Sequence, residues 1–267
     1  MELVTVALAT AFGLLVGLSL GLTGGGGSIL AVPLLVYGLG MELRTAVAMS
    51  LVIVGTTSLF GAIIQAKSGQ VLWRAGLILG IGGIAVAPLG ALAGAGMSDD
   101  LVVILFAALM VAVGVQMLRG AKSTEIPVTR AFACKTDERG RPQASLSCAS
   151  KLLGAGALTG FLSGLFGVGG GFLLVPALLL VGGVSIQHAL ATSLVAIALT
   201  SVSGFISNVG AANTIPVVAS LLFAAGSFFG MQGGAVAKGY LPSQLLRTIF
   251  AVAVVGVGAF MVYSTLA

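Results

Sequence analysis

The sequence predicts an all-α, polytopic membrane protein made of two homologous repeats in inverted arrangement. Its composition excludes a water-facing exterior, its apolar runs have the length of bilayer crossings, and its first half recurs in its second. Of 267 residues, 58% are hydrophobic and 7% charged, and the mean hydropathy is +1.18. Soluble domains carry about 25% charged residues, so a soluble enzyme, a disordered chain and a nucleic-acid-binding domain are all excluded as readings. The net charge of +5 comes from 12 Lys and Arg against 7 Asp and Glu. Seven of those cations, Arg119, Lys122, Arg130, Lys135, Arg139, Arg141 and Lys151, fall in one central stretch. That clustering is a topology signal and not a nucleic-acid patch.

A crossing needs roughly 20 apolar residues. Runs of that kind occupy 3–22, 43–64, 73–95, 101–118, 152–166, 189–209, 215–237 and 245–266. Two shorter runs, 28–40 and 171–183, carry Pro33 and Pro176 near their middles and read as short crossings or re-entrant segments. Each half thus holds four full spans plus one short or broken segment, eight to ten crossings in all. The organisation is a first transmembrane repeat at 1–120, a charged loop at 121–150 and a second repeat at 151–267. The opening Met1-Glu2-Leu3 has no positive n-region, and no cleavage site precedes a soluble domain, so the first run reads as a retained span. Cys134 and Cys148 match no zinc spacing and lie in the charged stretch, where two reduced thiols are the expectation. No metal and no cofactor is expected.

Shifting the chain by 143 residues superposes Gly13 on Gly156 and Pro33 on Pro176, with eighteen identities in the forty positions from Gly13 to Val52. A one-residue slip then aligns Leu101 with Leu245 and Phe106 with Phe250. Paired repeats with Gly/Pro-interrupted segments point to a secondary transporter and to its binding site. Glycines recurring every fourth residue, at 13, 17 and 21, at 156, 160 and 164, and at 226, 230 and 234, read as faces for close helix packing. They are compatible with packing inside one chain or with a homodimer.

The runs Gly24–Gly27 and Gly167–Gly171 (broken by Val168) are of another kind. Glycine costs a helix about 1 kcal/mol against alanine, so such runs break the helix. A break in hydrocarbon survives only where it is buried or faces a cavity. A glycine turn leading into a helix offers backbone N–H groups and the positive end of the dipole, a setting for an anion. The Gly-x-Gly spacing with Glu42 downstream does not make a dinucleotide fingerprint, because no βαβ unit surrounds it and the sixth-position glycine is missing.

The doubled element Gly25-Gly26-Gly27…Val32-Pro33 and Gly169-Gly170-Gly171…Val175-Pro176, with the stretches ending Ser50-Leu51 and Thr192-Ser193-Leu194, resembles the TauE/SafE sulfite exporter family. The resemblance covers nearly the whole chain except the region around 122–150. It implies a transporter of small sulfur-containing or carboxylated anions (sulfite, thiosulfate, sulfoacetate and related organosulfonates) in a bacterial inner membrane.

The expected solute site comprises Gly24, Gly25, Gly26, Gly27, Ser28, Pro33 and Ser50 in the first half. In the second it comprises Gly167, Gly169, Gly170, Gly171, Pro176, Thr192 and Ser193. Along the repeat, Ser50, Thr56, Thr57, Ser58 and Gln65 align with Ser193, Leu199, Thr200, Ser201 and Asn208. Neutral hydroxyls and amides can donate to an oxyanion without a buried counter-charge. Gln65, His188 and Asn208 are candidates for gating or proton handling. Arg44 is expected in a solvated pair with Glu42, and Asp99 and Asp100 as caps of the helix that follows.

The cation-rich loop places 121–150 in the cytoplasm. If the two short segments cross, every cation except Arg44 lies on that side, and charge counting prefers this inverted arrangement. A dianion leaving a negative-inside cell gains about 4.6 kcal/mol at 100 mV, so export needs no coupling ion. The expected partners are a small anionic solute and the lipid bilayer, with no nucleic acid. The competing readings are import of sulfate, thiosulfate or a small carboxylate, a membrane assembly factor, and a membrane enzyme, for which the spans lack a nucleophile–base pair.

Overall fold

The computed structural model describes residues 3–120, 146–182, 184–211, 217–237 and 243–266. The described structure is helical, without a strand. In chain order the helices are α1 (Leu3–Thr23), α2 (Gly26–Gly38), α3 (Leu43–Lys67), α4 (Trp73–Ala95) and α5 (Asp99–Gly120). The second half supplies α6 (Leu146–Phe166), α7 (Gly171–Ala177, prolonged by a wider turn over Leu178–Gly182), α8 (Ile186–Asn208), α9 (Val217–Ala237) and α10 (Ser243–Leu266). Eight of them are long and apolar enough to cross a membrane, and α2 and α7 are the two short segments.

The structure differs from expectation at several boundaries. α6 starts at Leu146 and not at 152, so the last residues assigned to the loop are helical. Lys151 interrupts the apolar run but not the helix, since a lysine near a helix end can lay its methylenes on apolar surface and keep its ammonium in water. Cys148, buried on α6, is disulfide-bonded, which overturns the expectation of a reduced thiol there; Cys134 lies outside the described residues. α2 begins at Gly26 as a tight 3-10 turn, two residues earlier than the apolar pattern predicts. Both short helices then widen into π-type turns past their prolines, over Leu34–Gly38 directly after Pro33 and over Leu178–Gly182 two residues after Pro176. A proline has no N–H to return to the preceding turn, and a widened turn is one way to accommodate the lost ladder bond.

Contacts between glycines and facing helices give each helix its direction. Gly13, Gly17 and Gly21 of α1 meet Phe223, Ser227 and Met231 of α9, so the two run parallel. Gly156, Gly160 and Gly164 of α6 meet Leu79, Gly83 and Ala87 of α4, again parallel. α3 and α8 run in opposite directions, with Gly55 against Ser201 and Gly61 against Leu194. So do α5 and α10, with Gly114 against Val255 and Gly258 against Met110. α2 doubles back along α1, because Gly27 lies beside Ser19 and Leu20 while Gly38 lies beside Phe12.

These contacts are reciprocal. Under the repeat offsets, α1 on α9 corresponds to α6 on α4, and Gly13 at Phe223 corresponds to Gly156 at Leu79. The glycine stripes are therefore packing faces, and each is filled within the chain. At Gly160 and Gly17 a Cβ would collide with facing backbone, of Gly83 and Ser227 respectively. Without a hydrophobic drive in lipid, this close approach is what joins the helices. The Ser227 hydroxyl also donates to the Gly13 carbonyl at 3.1 Å.

α3 and α8 form the centre: 67% and 72% of their spans are buried, against 28–50% for the other spans. Leu14, Leu15, Leu92, Phe229 and Val236 remain exposed on outer helices, as a hydrocarbon surround permits.

Replacing Gly160 by leucine should cost about 3 kcal/mol, the upper end for overpacking a filled interface. The same exchange at Gly154, where a Cβ would meet nothing, should change the melting temperature in detergent little. Equal melting temperatures for the two variants would contradict the packing role.

Candidate functional site

The helices break where the glycines cluster. Gly24, Gly167, Gly169 and Gly170 have φ of +70°, +71°, +67° and +67°, a left-handed conformation that side chains with a Cβ rarely adopt. The positions are also crowded. A Cβ at Gly24 would stand 2.7 Å from Leu190 Cβ, and one at Gly167 would stand 2.7 Å from Val47 Cα. Val47 and Leu190 are equivalent under the repeat.

The two breaks meet each other. A Cβ at Gly25 would stand 2.6 Å from the Gly171 oxygen, and one at Gly171 would stand 2.7 Å from the Gly25 oxygen. Both turns therefore lie at the centre, between α3 and α8. The structure brings together Gly24, Gly25, Ser28, Gly167, Gly169 and Gly171 of the expected site. Gly26 packs on Thr23 and Phe250, Gly27 on α1, and Gly170 on Thr159 of α6. Pro33 is buried and Pro176 half-buried farther along the short helices.

Hydroxyls from the opposite half hold the break carbonyls. Ser193 of α8 donates to the Gly24 oxygen at 2.8 Å, and Ser50 of α3 donates to the Gly167 oxygen. The exchange is reciprocal, since Ser50 and Ser193 are repeat mates. Ser28 donates to the Gly25 oxygen at 2.8 Å and Thr200 to the Gly169 oxygen at 3.2 Å. The Gly27 N–H donates to Thr23 Oγ1 at 3.2 Å. Ser50 and Ser193, both fully buried, thus act on the break itself.

Three hydroxyls behave differently. Ser58, Ser163 and Ser201 are buried and have no hydrogen-bond partner. A buried, unpaired hydroxyl costs about 1–3 kcal/mol and calls for an explanation. Ser58 and Ser201 are repeat mates on the two central helices. The Ser201 oxygen lies 2.9 Å from where a Cβ at Gly169 would stand, so it is aimed at the break. Sequence reasoning aligned the pair without singling it out; serine identity at the repeat offset was the available signal. Their neighbour Thr57 instead bonds its own helix, donating to the Ile53 oxygen at 2.7 Å.

The remaining expected residues lie at the two ends of the helices. Thr192 accepts from the Leu72 N–H at 3.0 Å, and His188 Nδ1 lies 2.8 Å from the Gln70 oxygen, to which it donates. Both hold the turn between α3 and α4 and do not touch the breaks. Gln65 is half-buried near the end of α3. Asn208 lies at the opposite end, donating to the Gly164 and Gly204 oxygens at 3.1 and 2.8 Å. Arg44, expected beside Glu42, pairs with Asp99 at 3.2 Å and donates to the Met97 oxygen at 3.3 Å. Asp99 sits in the first turn of α5, but its carboxylate answers a cation on another helix. No group of three or more metal-ligating side chains occurs among the described residues.

A family model described as Sulfite exporter TauE/SafE matches residues 9–261. A probable membrane transporter protein of Xylella fastidiosa (strain Temecula1) is 39% identical over 184 residues, covering 68% of this chain and 66% of that protein, just under two thirds of its length. The probable membrane transporter protein YunE of Bacillus subtilis is 27% identical over 260 residues, covering 94% and 95%. A probable membrane transporter protein of Methanocaldococcus jannaschii is 29% identical over 201 residues, covering 73% and 69%. No solved structure matches.

Removing the Ser50 or the Ser193 hydroxyl leaves a buried break carbonyl without its cross-half donor. Ser50→Ala and Ser193→Ala should each lower stability by about 1–3 kcal/mol, to similar extents, read as thermal melting of the purified protein. Unchanged melting in both would show that the breaks do not depend on these caps.

Proposed function

This chain belongs to the TauE/SafE family of membrane transporters, and on that premise we propose that it exports a small sulfur-containing oxyanion, such as sulfite or sulfoacetate, through the paired glycine breaks. The observation that carries the reading is the meeting of the two breaks, Gly25 against Gly171, beside the unpaired Ser201 hydroxyl and between the helices that bear Ser58 and Ser201. The break carbonyls are covered by Ser50, Ser193, Ser28 and Thr200. The Ser58 and Ser201 hydroxyls, with the break amides other than the bonded ones of Gly24, Gly27, Ser28 and Gly167, are then the donors that turn toward an anion when the halves part. Neutral donors suit a solute that must leave again, because they bind without the permanence of a buried counter-charge.

Alternating access follows from the reciprocity of the halves. Equivalent helices α3 and α8 run in opposite directions, and so do α5 and α10, which supports two repeats related by an axis across the helices. Rocking one repeat against the other would open the breaks first to one face and then to the other.

Charge supports export. At the end where α3 stops and α4 and α6 start, the described residues include Lys67, Arg74 and Lys151. The opposite end carries Glu42, Asp99 and Asp100 against Arg44 alone among the described residues. With the cation-rich face in the cytoplasm, an anion is concentrated where it enters and repelled where it leaves. The membrane potential adds about 2.3 kcal/mol per charge per 100 mV in the same direction.

In proteoliposomes, efflux of radiolabelled sulfite or sulfoacetate should accelerate as the interior is made more negative. Ser58→Ala and Ser201→Ala should cut that flux at least tenfold while leaving melting unchanged or raised, since each removes an unpaired buried hydroxyl. Flux of neither anion above that of protein-free vesicles, or full flux in both variants, would refute the proposal. Bulky substitutions at Gly26 and Gly169 discriminate less well, because both positions are also packed tightly.

A further inference from the structure

At the end of the molecule away from the central loop, a cleft is lined by residues of five helices, among them Arg44 and Val47 of α3, Asp99 and Val102 of α5, Leu165 of α6 and Asn208 of α8. Its place follows from α5, which starts at Asp99 in the cleft and runs 22 residues to the loop end, a full membrane thickness at 1.5 Å per residue. Val47 belongs to the lining and also packs against Gly167. The cleft therefore ends on the glycine break.

Arg44 and Asp99 pair within the cleft. The guanidinium lies 3.2 Å from the carboxylate and 3.3 Å from the Met97 oxygen, tying the start of α3 to the α4–α5 turn. The cleft is half-open, with about 20 Å³ accessible to water beside the paired side chains. Arg44 already displays the chemistry it takes: a planar fork facing a small oxyanion, here the side chain of Asp99. The pair is part-exposed, with 30% and 47% of the two side chains accessible, so it is cheap to break. The repeat-equivalent end is built otherwise. Gln187 stands at the position equivalent to Arg44, and the neutral bonds of His188 and Thr192 hold the α3–α4 turn.

We infer that Arg44 is the contact for a small oxyanion in a vestibule on the face away from the central loop, and that Asp99 is an internal competitor that displaces the solute from Arg44. This rests on the anion-transport reading and adds a second contact outside the glycine breaks. In an exporter the arrangement favours release: once the anion leaves the break for Arg44, the Asp99 carboxylate retakes the guanidinium and bars return.

The test needs no transported flux. A cysteine placed in the cleft by Ala95→Cys, at an exposed lining residue, is labelled with anionic and cationic methanethiosulfonates, with the parent chain as the blank for the native cysteines. Sulfoacetate serves as competitor, and sodium chloride at matched ionic strength as control. Asp99→Asn should raise the anionic-to-cationic labelling ratio roughly fivefold, as loss of one nearby negative charge does at intermediate dielectric. It should also lower the sulfoacetate concentration that half-protects the cysteine. Arg44→Gln should abolish both the anion preference and the protection. If Ala95→Cys fails to fold, Leu43→Cys, in the same cleft, takes its place. Equal ratios in all three backgrounds, or protection by chloride equal to that by sulfoacetate, would overturn the inference. Charge-dependent labelling and protection without flux of any anion would leave the vestibule standing and remove the export reading instead.

Discussion

In hydrocarbon a backbone polar group has no water to turn to, and this one constraint organises the molecule. Eight long helices satisfy it internally. The breaks at Gly24–Gly27 and Gly167–Gly171 cannot, and they persist because each half repairs the other: Ser193 covers the Gly24 carbonyl and Ser50 the Gly167 carbonyl. The left-handed turns demand glycine, the glycines admit the close approach of Gly25 to Gly171, and the two central helices bring the capping serines to the turns. Removing any one of these would leave a buried orphan where the bilayer is least forgiving.

The same constraint explains the division of labour among small residues. On α1, α4, α6 and α9 the stripe glycines have ordinary helical geometry and let backbones touch, as the facing carbonyls of Phe223, Ser227, Leu79 and Ala87 show. At the breaks glycine is needed for conformation as well as for space. Hydroxyls divide in the same way. Ser50, Ser193 and Thr200 cover carbonyls, Thr192 accepts from an amide of the α3–α4 turn, and Ser58 and Ser201 are left without partners at matching places. An unpaired hydroxyl retained twice is hard to explain by stability alone.

Among the described residues charge is confined to the ends, and the two ends differ. One is held by neutral bonds from His188 and Thr192 to the α3–α4 turn, the other by Arg44 and Asp99. An ion pair at a surface contributes little stability, which makes it a better latch than a buried pair would be.

How much of this could be read from the chain alone depends on whether the signal was local. Spans, breaks and stripes were legible, because apolar run length and glycine spacing are properties of the string itself. What depends on which helix faces which was not legible. Ser50 could be flagged but not assigned to Gly167, 117 residues away, and Arg44 was matched to its near neighbour Glu42 when its partner was Asp99. The state of Cys148 and the start of α6 at Leu146 also escaped, since the apolar-run criterion stops at Lys151. By itself, then, the sequence determined the membrane class, the ten-segment plan and where the helices must break, since those follow from hydration and backbone entropy residue by residue. Only the tertiary structure decided which hydroxyls are consumed in holding the breaks and which are left free, because a hydrogen bond between halves depends on the relative placement of two helices that no local pattern records.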